Sequence, residues 1–243
     1  MLDLTRQQPP WPARFPLVIR LIGKALNLAY EITGKARYDE YRLEHVQGMP
    51  IIVTPSVFNP KVPRTGAFFA AHIDSQLIAS DAEVLDMGTG SGVCAVAAAR
   101  HAHRVVAVDI NPAAVRCAAI NAQLNQVEHK LELRHGDLFA PVAGERFDLI
   151  LFNPPFLRGA PRDDRDRAWR GTDVAERFAA GIQDHLKPGG SALVLLSTFG
   201  DAAHFLAEFR GRGLAISTLA ERRYINERLA IFRLEPAKLR KFS

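Results

Sequence analysis

Val84-Leu85-Asp86-Met87-Gly88-Thr89-Gly90-Ser91-Gly92 runs from an apolar start into three glycines at alternate positions, and Val93 to His101 then reads as a helix. A strand that turns through glycine into a helix is where an α/β sheet presents its ligand crevice. Glycines there let a bound molecule approach the backbone without meeting a Cβ. A dinucleotide fingerprint would carry glycine at 88, 90 and 93, but position 93 is Val93, so the turn is glycine-rich without being that fingerprint.

Outward from this turn, apolar strands alternate with helical segments. Glu83–Met87 is followed by the helix, then Arg104–Ile110 by a helix over Ala113–Leu124, then Leu131–His135, then Phe147–Phe152 by a helix over Val174–Leu186. Ser191–Ser197, a helix near Ala202–Gly211 and strands near Leu214–Leu219 and Arg228–Leu234 complete the series. Short apolar strands separated by helices imply a mostly parallel sheet covered on both faces. The last two strands are joined by too few residues for a crossover and must pair antiparallel. Lys187-Pro188-Gly189-Gly190 reads as a helix stop and a turn into the next strand. Ahead of this domain, expected over 66–243, residues 1–65 form an appendage. Pro9, Pro10, Pro12 and Pro16 lead into an amphipathic helix over 17–32, and the β-branched run Met49 to Val57, flanked by Pro50 and Pro55, predicts a short edge strand or hairpin.

A chain of 243 residues, 48% hydrophobic and 23% charged, can bury one full core. Cys94 and Cys117 lie on separate predicted helices, without metal-pair spacing or the number a disulfide framework needs, so a reducing cytoplasmic setting is expected. Arg20 and Lys24 interrupt the apolar stretch Phe15 to Ile32, and no small-residue cleavage site follows a basic start, so neither a signal peptide nor a membrane span is expected there. Of the net charge of +5, residues 1–66 carry +4, 67–157 carry −4 and 221–243 carry +4. An acidic centre with a basic periphery is a distribution that steers an anionic partner such as RNA, and also one that merely keeps a surface solvated.

Candidate binding residues fall at predicted strand ends. Asp109 closes the second strand 21 residues after Gly88, where a carboxylate can accept from both hydroxyls of a ribose. Its competing role, a helix cap, is already filled by Asn111 with Pro112 at the first helical position. Gly136-Asp137-Leu138 ends the third strand, where Asp137 can accept from the exocyclic amine of an adenine and Leu138 can donate a backbone N–H. Asn153-Pro154-Pro155-Phe156 ends the fourth. Its prolines withdraw backbone donors and stiffen the loop. The Asn153 side-chain oxygen and the Pro154 carbonyl can then accept from one NH₂ group while Phe156 stacks on the flat group that carries it, an arrangement suited to an amide or aromatic amine.

At these residues the chain resembles class I S-adenosyl-L-methionine-dependent methyltransferases, with Asn153–Phe156 matching the (Asn/Asp)-Pro-Pro-(Tyr/Phe) signature of the amino- and amide-nitrogen group. Within that group it is similar to the HemK-type protein-glutamine methyltransferases, supported by Val57-Phe58-Asn59-Pro60 with Thr65 and by Ala168-Trp169-Arg170-Gly171. The resemblance implies a Rossmann-like, seven-stranded, mostly parallel sheet with an antiparallel final hairpin. It implies that S-adenosyl-L-methionine is held by Thr65, Asp86, Gly88, Thr89, Gly90, Gly92, Asp109, Ile110, Asp137, Leu138 and Asn153, and that Asn153, Pro154, Pro155 and Phe156 capture the methyl acceptor. The acceptor expected from it is a protein glutamine. Bacterial enzymes of this kind carry a larger N-terminal domain and a tyrosine where this chain has Phe156, and phenylalanine there also occurs in ribosomal RNA guanine methyltransferases. An RNA base amine or a small-molecule amine or amide are therefore the alternative acceptors. A binding module without turnover and a nicotinamide-dependent reductase are rivals of other classes. The first is disfavoured by intact Asp86, Asp109 and Asn153, the second by Val93 and the Pro-Pro loop.

Arg158 to Arg170 holds five arginines and three aspartates directly after this loop, placed either to cover an acceptor or to stay solvated as internal ion pairs. The eight histidines form no ligand spacing, and His101 and His103 sit at a helix-to-strand junction, so no metal is expected.

Overall fold

The structure, a computed structural model, describes residues 40–60, 64–155, 157–158, 170–198, 200–224 and 227–237. The expected helix over 17–32 and Phe156 lie outside these residues, as does 159–169, most of the arginine-rich segment. Two strands open the described chain, β1 (Arg42–Val46) and β2 (Met49–Val53). They pair antiparallel across Gln47-Gly48, both left-handed at φ 49° and 74°, as a tight hairpin twisting with its strands requires. The hairpin forms its own two-stranded sheet.

Seven further strands make the main sheet. They are β3 (Glu83–Met87), β4 (Arg104–Asp109), β5 (Leu131–His135), β6 (Phe147–Phe152), β9 (Leu186–Ser197), β10 (Leu214–Arg223) and β11 (Arg228–Pro236). Their order is β10-β11-β9-β6-β3-β4-β5, with β3, β4, β5, β6 and β9 parallel and β11 antiparallel to both its neighbours. The expected fold class is therefore observed, final hairpin included. Between β6 and β9 lie two two-residue strands, β7 (Leu157–Arg158) and β8 (Arg170–Gly171), paired in parallel with each other.

Successive residues of the central strands face opposite sides, and both sides are covered, which is why the strands read as unbroken apolar runs. On one side Val84, Val105, Leu149, Leu151, Leu193 and Leu195 pack under α1 (Thr65–Ala70), α2 (Val93–Ala99) and the hairpin. On the other, Leu85, Val106, Ile150, Phe152, Val194 and Leu196 pack under α4 (Val174–Gly181) and α5 (Ala202–Gly211). Leu85, Ile150 and Leu193 are fully buried, and each such side chain stabilises the fold by about 1.5–3 kcal/mol relative to exposure. The remaining helix, α3 (Pro112–Leu124), begins as expected: Asn111 caps it, its side chain accepting from the Ala113 N–H at 2.9 Å, with Pro112 first in the helix. The side chain of Asn121 on α3 then holds the hairpin. It accepts from the Ile52 N–H and donates to the Ile52 carbonyl, both at 2.7 Å, and donates to the Ser91 carbonyl at 2.8 Å.

One turn is placed differently from expectation. Lys187 to Gly190 lie within β9, α4 having stopped at Gly181 with a short 3-10 turn over Gln183–His185. Pairing with β6 starts at Phe147 with Leu186, shifts register, and resumes at Leu149 with Ser191. The Pro-Gly-Gly run is thus a bulge in a strand, and only glycine at 190 allows its close approach, since a Cβ there would lie 2.9 Å from the Phe147 carbonyl oxygen. Among the described residues no helix is long and apolar enough to cross a membrane, and no group of three or more His, Cys, Asp or Glu is placed to hold a metal.

Candidate functional site

Four parallel strands end at one crevice, on either side of β3, where the chain order reverses, the place at which open α/β sheets bind ligands. The cavity there has a volume of about 290 Å³ and is lined by Asp86, Gly88, Thr89 and Gly90 from the end of β3, Asp109 and Ile110 from β4, Asp137 and Leu138 from β5, and Asn153, Pro154 and Pro155 from β6. Eleven residues singled out from sequence are thus together. Thr65 and Gly92 stand behind the wall. Gly92 serves packing, since at φ +81° a Cβ would meet Ala118 on α3 at 2.9 Å. Thr65 is fully buried at the start of α1, and its hydroxyl finds no partner among the described residues.

The glycine turn is folded over the end of β4 by its own amides. The Gly88 and Thr89 N–H groups donate to the Val108 carbonyl at 2.8 and 3.0 Å, Gly92 N–H to the Thr89 carbonyl at 2.8 Å, and Gly90 N–H to the Asp109 carboxylate at 2.8 Å. A phosphate-binding loop presents such N–H groups to its ligand; here they are consumed internally. The second Asp109 oxygen accepts from the Asn111 N–H at 2.8 Å. Each oxygen retains a further lone pair, so the carboxylate can accept two more hydrogen bonds from the cavity. Burial pushes the Asp109 carboxyl above its ordinary pKa, against the pull of the Asn111 and Gly90 amides.

Asp86 is buried beneath the same turn and accepts from the Thr89 hydroxyl at 2.6 Å. Burial raises its pKa from 3.8 to about 7, with the Thr89 bond opposing the rise and the Asp109 charge adding to it. Two acids, with the Gly88, Thr89, Gly90 and Gly92 amides already bonded within the fold, favour a cationic ligand over a phosphate.

At the end of β6 the Asn153 side-chain oxygen is shielded from solvent and has no partner among the described residues. A buried amide oxygen left so costs about 1–3 kcal/mol, an expense a bound donor would remove. Pro154 is buried beside it. Phe152, one residue earlier, packs at 4.2 Å between ring centroids on Phe178 of α4, which stacks at 5.4 Å on Phe139 beyond the Asp137 turn. One aromatic cluster thereby supports both the Asn153 end and the Asp137 end of the cavity.

The cavity also holds residues that the sequence reasoning did not select. Ser56 and Phe58 reach it from the segment after the hairpin, and Thr172, Asp173 and Arg177 from the start of α4. The Arg177 guanidinium donates to Asp137 at 2.7 Å across 40 residues of sequence, a pairing no local signal announces. Leu138 adopts a left-handed φ of 46°, uncommon for a non-glycine residue and typical of sites where the surroundings impose a conformation.

The methyltransferase small domain family matches residues 48–218. A release factor glutamine methyltransferase of Koribacter versatilis is 33% identical over 186 residues, covering 64% of this chain and 65% of its own length. A ribosomal RNA small subunit methyltransferase C of Alcanivorax borkumensis is 33% identical over 137 residues, covering 56% of this chain and 39% of its own. This chain thus spans less than two thirds of either relative. Among solved structures, a T. thermophilus 16S rRNA N2 methyltransferase in complex with AdoMet and guanosine superposes with a TM-score of 0.61 at 24% identity, over 81% of this chain and 50% of its own. At that identity the likeness speaks for the fold.

Proposed function

The chain belongs to the methyltransferase small domain family, and from that premise we propose that it transfers a methyl group from S-adenosyl-L-methionine to a planar nitrogen, the side-chain amide of a glutamine in a protein. The observation that carries this reading is the shielded, partnerless Asn153 oxygen beside Pro154 at the mouth of the β6 strand. S-Adenosyl-L-methionine, when bound, supplies a methyl group made electrophilic by its sulfonium. The acidic, amide-poor turn suits that cation better than a pyrophosphate, which is also the ground for setting a nicotinamide dinucleotide aside.

In this reading Asp109 accepts from the ribose hydroxyls, Asp137 and the Leu138 N–H recognise the adenine, and Asp86 and Gly88 hold the methionine end, with Thr65 buried behind the wall. Asn153 and the Pro154 carbonyl accept the two hydrogens of the acceptor NH₂ and so orient its nitrogen. An amide nitrogen is a poor nucleophile because its lone pair is delocalised. Accepting both hydrogens favours the pyramidal geometry in which that lone pair points at the methyl group. The protein's part is orientation and electrostatics. The glutamine acceptor is supported by the Koribacter relative, and the two buried free cysteines agree with a cytoplasmic setting.

A second reading, methylation of an RNA base amine, is favoured by the Alcanivorax relative and by the basic charge of residues 221–243. One experiment separates them. The protein is incubated with radiolabelled S-adenosyl-L-methionine and a cell lysate divided into protein, RNA and small-molecule fractions, with Asn153→Ala alongside. Label in protein, reduced about a hundredfold by Asn153→Ala while the affinity for S-adenosylhomocysteine holds, supports glutamine methylation. Label in RNA replaces it with the second reading, and undiminished turnover in Asn153→Ala removes Asn153 from the mechanism.

A further inference from the structure

Asp137 stands on a stiff turn but carries a loose carboxylate. Its carbonyl accepts from the Ala140 N–H at 3.1 Å, and Gly136 before it packs so tightly on Pro141 that a Cβ would lie 2.3 Å from the Pro141 ring. The carboxylate itself is 43% exposed, and its hydrogen-bond partner among the described residues is Arg177, at 2.7 Å from Oδ2. Arg177 is built on a firm support. Its N–H is bonded to the Asp173 carbonyl at 3.0 Å in the first turn of α4, and its other terminal nitrogen lies 3.7 Å from the Asp173 carboxylate. The neighbouring Phe178 locks α4 against Phe139 and Phe152, and Gly181 permits the approach, since a Cβ there would lie 2.3 Å from the Phe139 ring.

We propose that Arg177 is the positioning residue that makes Asp137 select a 6-aminopurine over its 6-oxo counterpart, an inference that rests on the adenine role assigned to Asp137 above. The guanidinium has donors only and occupies Oδ2, so the carboxylate cannot turn that oxygen into the cavity and Oδ1 is left facing the ligand as an acceptor. A 6-amino group meets it with a donor. A 6-oxo group meets it with a second acceptor, the donor of that edge having moved to N1–H, and a site built to accept a hydrogen bond at the 6-position binds such an analogue less well. The ion pair is too exposed to matter much for folding, because such pairs contribute little in water. Its position on the cavity wall gives it a different consequence, in the choice of base.

The test compares the affinities of S-adenosylhomocysteine and its 6-oxo analogue, S-inosylhomocysteine, by calorimetry for the wild type, Asp137→Ala, Arg177→Met and Arg177→Lys, with melting temperatures alongside. The wild type is expected to prefer the amino compound by about tenfold to a hundredfold. Asp137→Ala should remove most of that preference, and Arg177→Met should shrink it toward the same value at an unchanged melting temperature. Arg177→Lys, which restores the charge as a single point without the fork, should fall between, and it carries the test if Arg177→Met does not fold. Loss of preference in Asp137→Ala with full retention in both Arg177 variants overturns the proposal and leaves the adenine reading standing. Full retention in Asp137→Ala overturns both.

Discussion

At the scale of a single residue, Asp86 is a consequential group, buried under the glycine turn and bonded to the Thr89 hydroxyl and to the Ala95 amide of α2. It gains its proton near pH 7 in the folded chain and near 3.8 when unfolded. An acid with a raised folded pKa contributes stability that is whole below the unfolded value, declines as the pH rises, and is gone once the pH passes the folded value. The ligand-free protein should therefore lose stability from Asp86 between pH 3.8 and about 7. Asp86→Asn, which keeps an oxygen for the Thr89 hydroxyl, should remove this component. Melting temperatures taken across that range for both proteins provide the check: the variant should gain on the wild type as the pH rises, and parallel profiles would mean that Asp86 stays ionised in the fold. Asp86 and Asn153 were legible in the sequence because each belongs to a short motif whose chemistry is local. Gly92 was legible only as a loop glycine, since the Ala118 contact that demands it lies 26 residues away. Leu138 carried no signal of its left-handed backbone.

At the scale of elements, the β1–β2 hairpin depends on a helix. Two-stranded hairpins are marginal alone in water, and here the free edge of β2 is bonded by Asn121 and by Asn125, whose side chain donates to the Pro50 carbonyl at 2.9 Å. Asn121→Ala would strand the Ile52 N–H and the Ser91 carbonyl and leave the Ile52 carbonyl only the weak Cys117 thiol donor at 3.3 Å, at a cost of about 2–4 kcal/mol. Urea unfolding should register that loss, and hydrogen exchange should find the Ile52 amide deprotected before the amides of β3. Protection at Ile52 equal to the wild type would show that the hairpin stands without Asn121. The periodic strands and the Asn111-Pro112 cap were legible because backbone geometry and capping are short-range. The hairpin's anchor was not, because an asparagine inside a helical pattern looks like a weak helix former until the strand it binds is in place. The Lys187–Gly190 bulge misled for a related reason: turn chemistry was read correctly, but pairing with β6 on both sides of it keeps the segment in the sheet.

At the scale of the whole molecule, ligand binding should be visible as stability. At a hundredfold excess over its dissociation constant, a ligand that binds only the folded state adds about 2.7 kcal/mol, roughly 5–10 °C in melting temperature for a chain of this size. S-Adenosylhomocysteine should produce such a rise and a nicotinamide dinucleotide none, because the Gly88, Thr89, Gly90 and Gly92 amides are already bonded within the fold. The opposite pattern would return the chain to the reductase class. The mostly parallel sheet with its antiparallel final pair followed from the alternation of apolar runs with helices, and with it the crevice at the strand ends was legible, though the strand order was not. The wall contributed by α4 was not, because it returns to the crevice only after the chain has left it.

That return passes through β7 and β8, where Leu157 pairs with Arg170 and Arg158 with Gly171. Between them lies an excursion whose two ends are fixed side by side, so its length is nearly independent of the rest of the molecule: doubling such a loop adds only about 0.6 kcal/mol of closure entropy. Changes in the length of the chain between Arg158 and Arg170 should therefore leave the sheet and the cavity intact.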